Sequence, residues 1–328
     1  MPDRFLNLTS GIAMIVTDLH GDREAFDRIL THFSTLYWRG EAHRLIFLGD
    51  VVHGYGSPQD DSSLEMILDL IKLQQQYGKE TVVMLLGNHE MPHIYGVPLS
   101  KGDLEFTPRF EHTLGRHRAQ VLEFFISLPL YVRTQAGVLL CHAGPASESL
   151  RYVDALRHFD HYALLEEADY VLSQSDNLDL LFHQYRSIFG APYDELAQHY
   201  LAINGPDDPR YTHLLRGFMI GEQDRQFGVL WDALFTQNEA GRTRTSYQRL
   251  CTEFLEAFSE DAPTPQRVVV SGHIAARDGA ELVNTYHLRL ASAAHAIPRE
   301  SGLYLLLDCE RPVRTAQTLL DHVYPVFD

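Results

Sequence analysis

The sequence predicts an α/β fold interrupted by a helical insertion. Two observations carry this. Short apolar runs rich in β-branched residues alternate with segments of helical spacing in the first half, and from about 147 to 258 the strand-like runs give way to helical ones. A third observation concerns chemistry: polar residues of metal-binding type directly follow five of the strand-like runs.

The runs at 13–17, 44–48, 81–86, 137–141, 267–271 and 302–308 read as buried strands. Segments 23–33, 62–77 and 116–128 repeat their apolar residues at helical spacing, the last stopped by Pro129. Further on, 178–188, 193–201 and 247–258 read as helices, with breaks at 190–192 and 205–209. After Pro265 strands return on short connections, which predicts a mostly antiparallel completion of the core. The expected organisation is one discontinuous core, 1–146 and 266–328, with a mostly helical cap at 147–265 that leans over the site and sets substrate choice.

Composition narrows the function. Hydrophobic residues make up 45% and charged residues 22% of the 328, which is ordinary globular usage. A formal charge of -17 argues against a nucleic-acid polymer as partner and leaves a phosphorylated small molecule or a phosphoprotein. Cys141, Cys251 and Cys309 are widely spaced and form no CxxC pair, so neither a disulfide framework nor a zinc knuckle is expected. The first residues read without a basic and apolar leader, and no apolar run approaches the roughly 20 residues a bilayer span needs. These features predict a cytoplasmic protein with no membrane partner.

The five polar clusters are Asp18-Leu19-His20-Gly21, Gly49-Asp50, Gly87-Asn88-His89-Glu90, His142-Ala143-Gly144 and Gly272-His273. Ligands of open α/β sheets bind outside the carboxyl ends of strands, so the clusters are expected to converge in one crevice. Mixed carboxylate and imidazole donors suit manganese, iron or zinc better than magnesium or calcium. Seven candidate groups exceed the needs of one ion and point to two, which together activate water and clamp a phosphoryl group.

In this order, DxHG, GD, GNHE, HAG and GH, the clusters resemble those of the calcineurin-like metallophosphoesterases, and within them the phosphoprotein-phosphatase type. Leu128-Pro129-Leu130, Leu230-Trp231-Asp232 and the stretch from Leu288-Arg289-Leu290-Ala291-Ser292 to Asp308 extend the likeness. The resemblance implies a four-layer α/β/β/α sandwich with two central mixed sheets. It also implies a dinuclear metal-dependent phosphatase that hydrolyses a phosphomonoester by metal-bound hydroxide. Asp18 and His20 would bind one ion, Asp50 would bridge both, and Asn88, His142 and His273 would bind the other. His89 would be the general acid that protonates the leaving oxygen, with Asp50 and His89 the catalytic pair.

The second motif departs from the family. Where GDxxDRG is usual, this chain has Gly49-Asp50-Val51-Val52-His53-Gly54, without the aspartate that normally pairs with the GNHE histidine and without the phosphate-binding arginine. Asp60 or Asp61 are candidates to replace the carboxylate. Arg242 and Arg244, with His53 and Asn88, are the candidate substrate contacts. Two alternatives use the same core: a phosphodiesterase or dinucleoside polyphosphate hydrolase, and a weakened member that binds metal or a phosphorylated ligand without turnover.

Other polar and aromatic residues take plainer readings. His93, His112 and His117 are expected to be structural or surface residues, and Arg109, Arg116 and Arg118 to form a solvated helix face. Phe182, Tyr185, Phe189, Tyr193 and Tyr200 are expected to pack a helical core, and Cys141 to be a buried small side chain.

Overall fold

A computed structural model describes residues 3–175, 178–235, 237 and 239–327. The chain forms two compact units, one of Met1–His89, Leu128–Phe159 and Val229–Asp328, the other of Glu90–Ser127 and Asp160–Gly228. The helical stretch 147–265 is thus divided: 147–159 and 229–265 fold with the sheets, and 160–228 joins 90–127.

The first unit opens with β1 (Phe5–Leu8), β2 (Ile12–Val16), α1 (Arg23–Trp38), β3 (Arg44–Phe47), α2 (Ser63–Tyr77) and β4 (Val82–Met84). It continues with β7 (Tyr131–Thr134), β8 (Val138–Cys141), α6 (Val153–Arg157), α12 (Arg244–Ala257) and β9 (Val268–Ser271). It ends with β10 (Ala276–Arg277), β11 (Ala280–Asn284), β12 (His287–Leu290), β13 (Ala296–Ile297), β14 (Leu303–Asp308) and β15 (Val323–Pro325). A six-stranded sheet has the order β1-β7-β8-β9-β12-β11, and a five-stranded sheet the order β15-β14-β2-β3-β4. Both are mixed. β2, β3 and β4 run parallel, as do β8, β9 and β12, while β14 is antiparallel to β2 and β11 to β12. The short final connections therefore yield antiparallel pairs only in part, since β12 adds to β9 in parallel.

Alternation explains how the sheets stack. Ala13, Ile15, Ile46 and Val83 of one sheet meet Val138, Leu140, Val268, Val270, Leu288 and Leu290 of the other in a single core. Met14, Val16, Leu45, Phe47 and Val82 are buried on the opposite face, where Phe26 of α1 packs its ring 6.0 Å from Phe47. Residues buried on both faces make these strands continuous apolar runs, each large side chain contributing roughly 1.5–3 kcal/mol. On the far side of the six-stranded sheet, Phe254 and Phe258, in and just after α12, pack against Tyr131 of β7. The architecture is the four-layer α/β/β/α sandwich.

The second unit holds α3 (Met91–Tyr95), a β5 (Ser100–Lys101) to β6 (Leu104–Glu105) hairpin, α4 (Phe106–Leu114) and α5 (Arg118–Ser127). It also holds α7 (His161–Ser173), α8 (Leu178–Phe189), α9 (Tyr193–Leu201) and α10 (His213–Gln223), while α11 (Arg225–Phe235) begins there and ends in the first unit. Tyr185, Tyr193, Leu201, Leu214 and Leu215 form its core, with Phe182 and Tyr200 packed against them. These four aromatics are packing residues, whereas Phe189 is 42% exposed and only stacks on Tyr185, ring centroids 4.3 Å apart. No described helix is long and apolar enough to cross a membrane.

A buried ionic chain crosses this unit. Glu111 meets His93 Nδ1 at 2.9 Å and Arg118 Nε at 2.8 Å, its side chain 2% exposed. Arg118 is therefore a structural ion-pair partner and not part of a solvated face. Burial pushes the Glu111 carboxyl up, but His93 and then Arg118 hold it below its ordinary value. A depressed carboxyl stabilises the fold above its unfolded pKa, and that contribution is lost as pH falls through the folded one. Glu111→Gln leaves Arg118 without its buried countercharge and is expected to cost about 3 kcal/mol. A urea denaturation midpoint unchanged at pH 7 would contradict this.

Candidate metal centre

Each predicted ligand sits where its strand ends. Asp18 and His20 follow β2, Asp50 follows β3, Asn88 and His89 follow β4, His142 follows β8 and His273 follows β9. Backbone bonds lock these ends together: Leu19 N and His20 N both donate to Asp50 O (2.9 and 3.0 Å), and Gly272 N donates to His142 O (2.9 Å). Asp18, His20, Asp50, His53 and His273 all have positive φ, between 44° and 75°. Such backbone strain in non-glycine residues concentrates at functional sites.

Two glycines explain the close approach. A Cβ at Gly272 would lie 2.0 Å from Asp18 Oδ2, and one at Gly49 would lie 2.7 Å from Gly87 Cα. Gly272 thereby lets His273 N donate to both Asp18 oxygens (2.9 and 3.0 Å).

Asp50 lies at the middle. Its Oδ1 accepts from His89 N at 3.0 Å, and its Oδ2 lies 3.7 Å from His20 Nε2 and 3.5 Å from His142 Nε2. His20 Nδ1 donates to Val52 O (3.1 Å) and His142 Nδ1 to Leu48 O (2.8 Å). Both rings therefore present an Nε2 lone pair to the interior, the arrangement of metal-ligating histidines. Burial, and then the positive potential of His295, pulls His20 down to about 3, and burial followed by His142 does the same to His273. Burial lowers His142 as well. These rings are neutral, the form that binds metal. Burial would push the Asp18 carboxyl up, but His295, His142 and His20 hold it well below its ordinary value.

The donors fit two divalent cations. His142 Nε2, its partner nitrogen already donating, faces the oxygen of Asn88 at 2.7 Å. Two acceptors this close are stabilised by a cation that both coordinate. The buried Nε2 atoms of His20 and His273 have no hydrogen-bond partner among the described residues. Three overlapping groups present ligand atoms within 4.8 Å of one another: Asp18, His20 and His295; His20, Asp50 and His89; Asp50, His142 and His273. Carboxylate with imidazole is the donor set of first-row divalent metals.

The altered second motif has its own solution. His53, only 1% exposed, places Nδ1 2.9 Å from His89 Nδ1, so an imidazole stands beside the GNHE histidine. Asp61 braces the loop, accepting from Gly54 N and Ser63 N (both 3.0 Å) and from the Ser63 hydroxyl, which in turn accepts from His53 N (2.8 Å). Asp60 Oδ2 accepts from Ser57 Oγ at 2.7 Å. Arg242 donates to Ser147 Oγ (2.7 Å) beside Arg151 and Arg249 in an open cavity of about 390 Å³, and Arg244 opens α12 with an exposed side chain. Cys141 is buried, its thiol pushed up to about 12 by that burial. Asp232 accepts from Glu148 N at 2.9 Å and so fixes the loop after His142.

Sequence reasoning missed His295. No motif marks it, since the GH cluster continues as Ile274-Ala275 and His295 arrives from the loop after β12. Its nearest sequence signal was the Leu288 to Ser292 stretch just before it.

A carboxylate set between two histidine-bearing half-sites, at the strand ends of a four-layer sandwich, defines a dinuclear metal-dependent phosphoesterase. The chain belongs to the calcineurin-like phosphoesterase family, whose model matches residues 13–214. Among solved structures it is similar to a protein serine/threonine phosphatase from Saccharomyces cerevisiae, at 14% identity over 94% of this chain and 77% of that one, with a TM-score of 0.51. It is also similar to a cold-active protein tyrosine phosphatase, at 17% identity over 94% and 76% of the two chains, with a TM-score of 0.50. At these identities the likeness is one of fold. No curated protein matches the chain significantly.

Proposed function

We propose that the enzyme hydrolyses a phosphomonoester, borne by a phosphoprotein or a small phosphorylated metabolite. Asp18 and His20 would hold one ion and Asn88, His142 and His273 the other, with Asp50 shared between them. The observation that carries this is the position of Asp50 Oδ2, 3.7 Å and 3.5 Å from two histidine nitrogens whose rings are each anchored on a backbone carbonyl. When bound, two divalent cations supply Lewis acidity toward phosphoryl oxygens and a lowered pKa for water.

The remaining chemistry belongs to side chains. Asp50 and Asp18 offset the positive charge of the pair. His89, anchored through its backbone N–H on Asp50, donates a proton to the leaving oxygen, and His53 orients its ring in place of the family's aspartate. Arg242 or Arg244 is the candidate phosphate contact in place of the family's arginine. Relatives of the same fold described as protein phosphatases support the phosphoprotein alternative. Three free, buried cysteines support a reducing, cytoplasmic setting.

The test is metal analysis of the purified protein followed by turnover of p-nitrophenyl phosphate, bis-p-nitrophenyl phosphate, diadenosine tetraphosphate and a phosphoserine peptide. Two equivalents of metal, monoester turnover and its loss on chelation are expected. Preference for the diester or the dinucleotide overturns the monoester reading, and absence of metal overturns the centre itself.

A further inference from the structure

The loop after β12 brings a histidine to the first ion's ligands, and it is tied there from both sides. Thr17 N donates to Ser292 Oγ (3.0 Å), Thr17 Oγ1 to Leu290 O (3.0 Å), and Ala294 N to the backbone oxygen of Asp18 (3.1 Å). The chain holding His295 is thus bonded to the chain holding Asp18.

The ring itself is placed with unusual specificity. His295 Nδ1 lies 3.2 Å from Asp18 Oδ1, and this buried nitrogen has no hydrogen-bond partner of good geometry among the described residues. Two such atoms at this separation suit a cation that both coordinate. Donors about 2.1 Å from one ion, at angles between square and tetrahedral, lie roughly 3–3.4 Å apart. The His20 ring, whose Nε2 also lacks a hydrogen bond, is 4.9 Å away centroid to centroid. On the other side of the imidazole, His295 Nε2 lies 3.4 Å from the hydroxyl of Tyr55, and the Tyr55 ring packs 4.7 Å from that of His20.

We propose that His295 is a fourth protein ligand of the first ion, with Asp18, His20 and the bridging Asp50, and that Tyr55 is its positioning residue. Nε2–H donates to the Tyr55 hydroxyl oxygen, which fixes the tautomer and leaves the Nδ1 lone pair for the metal, as partners of ligating histidines commonly do. Two imidazoles beside two carboxylates make this position one for manganese, iron, cobalt or zinc and a poor one for magnesium. Tyr55 follows directly on the His53-Gly54 departure from the family motif, so the altered loop supplies a ligand's support one residue past the position of the family's arginine. The inference rests on the dinuclear reading.

The experiment counts metal. Full-length protein stripped by chelation is titrated with Mn²⁺ by calorimetry, with equivalents checked by elemental analysis and spin coupling by electron paramagnetic resonance. Wild type is expected to bind two equivalents that couple. His295→Ala is expected to keep one tight equivalent and weaken the other on the order of 100-fold, with the coupled signal lost at stoichiometric metal. Tyr55→Phe, which removes one oxygen and keeps the ring, is expected to weaken the same equivalent about 10-fold. Circular dichroism establishes that each variant is folded, and where His295→Ala is not, His295→Gln takes its place. Unchanged affinities and an intact coupled signal in the folded histidine variant overturn His295 as ligand, with the dinuclear centre still standing. Unchanged affinities in Tyr55→Phe alone overturn its positioning role. Fewer than two equivalents in wild type overturn the dinuclear reading beneath both.

Discussion

Asp50→Asn is expected to lower kcat on p-nitrophenyl phosphate by on the order of 10³-fold while the protein stays folded. The effect follows from position. Asp50 is 1% exposed, and one of its oxygens lies between the Nε2 atoms of His20 and His142. Asparagine keeps the volume and one acceptor, so the bond from His89 N survives. The negative charge offsetting two cations is gone. Removing a single well-placed electrostatic group from a site that stabilises developing charge costs roughly 10²–10³-fold, and here one group would serve both ions. Elemental analysis would show both equivalents weakened together. Two tightly held ions and undiminished turnover would remove Asp50 from the bridge.

His89→Asn is the second large effect, and it separates chemistry from binding. A general acid contributes roughly 10²–10⁴-fold, most where the leaving group is a poor one. Phenyl phosphate turnover is therefore expected to fall by about 10³-fold, and p-nitrophenyl phosphate, whose leaving group departs without a proton, by much less. Metal content stays at two equivalents. Burial holds the His89 imidazole well below its ordinary pKa, reinforced by His20, His53, His142 and His273. An arriving phosphate, an anion beside the ring, favours the protonated form that the reaction needs. The His20, Asp50 and His89 grouping offers the contrary outcome. Loss of one ion together with equal losses on both substrates would make His89 a ligand instead of the acid.

The centre was legible in the sequence to the extent that its chemistry is local to strand ends. Asp18, Asp50 and Asn88 each follow a short apolar run, and because β2, β3 and β4 are parallel their ends emerge at one edge. The same holds for His142 and His273 after the parallel β8 and β9. His295 was illegible because its place depends on a loop bonded to Thr17 and Asp18, residues about 280 positions away in sequence. His53 was visible as a departure, but its contact with His89 is a tertiary fact. β1 (FLNL) and β7 (YVRT) were not legible because polar residues break their apolar pattern, and Arg133 of β7 is buried with bonds to Asn7 Oδ1 and Glu260 O and the Phe5 ring beneath it. The helical stretch 147–265 gave no sign of its division, since α12 packs on β9 through side chains spaced like those of any amphipathic helix.

The left-handed backbone at Asp18, His20, Asp50, His53 and His273 has a consequence for the protein as an evolving object. Each residue occupies a conformation that glycine adopts freely and an L side chain adopts at a cost of about 1 kcal/mol. A glycine at any of these five positions would relieve that backbone strain. Every gain would delete a functional side chain. Robustness and reactivity are thus opposed at the same few backbone angles, and the scaffold can harden everywhere except along the edge where it works.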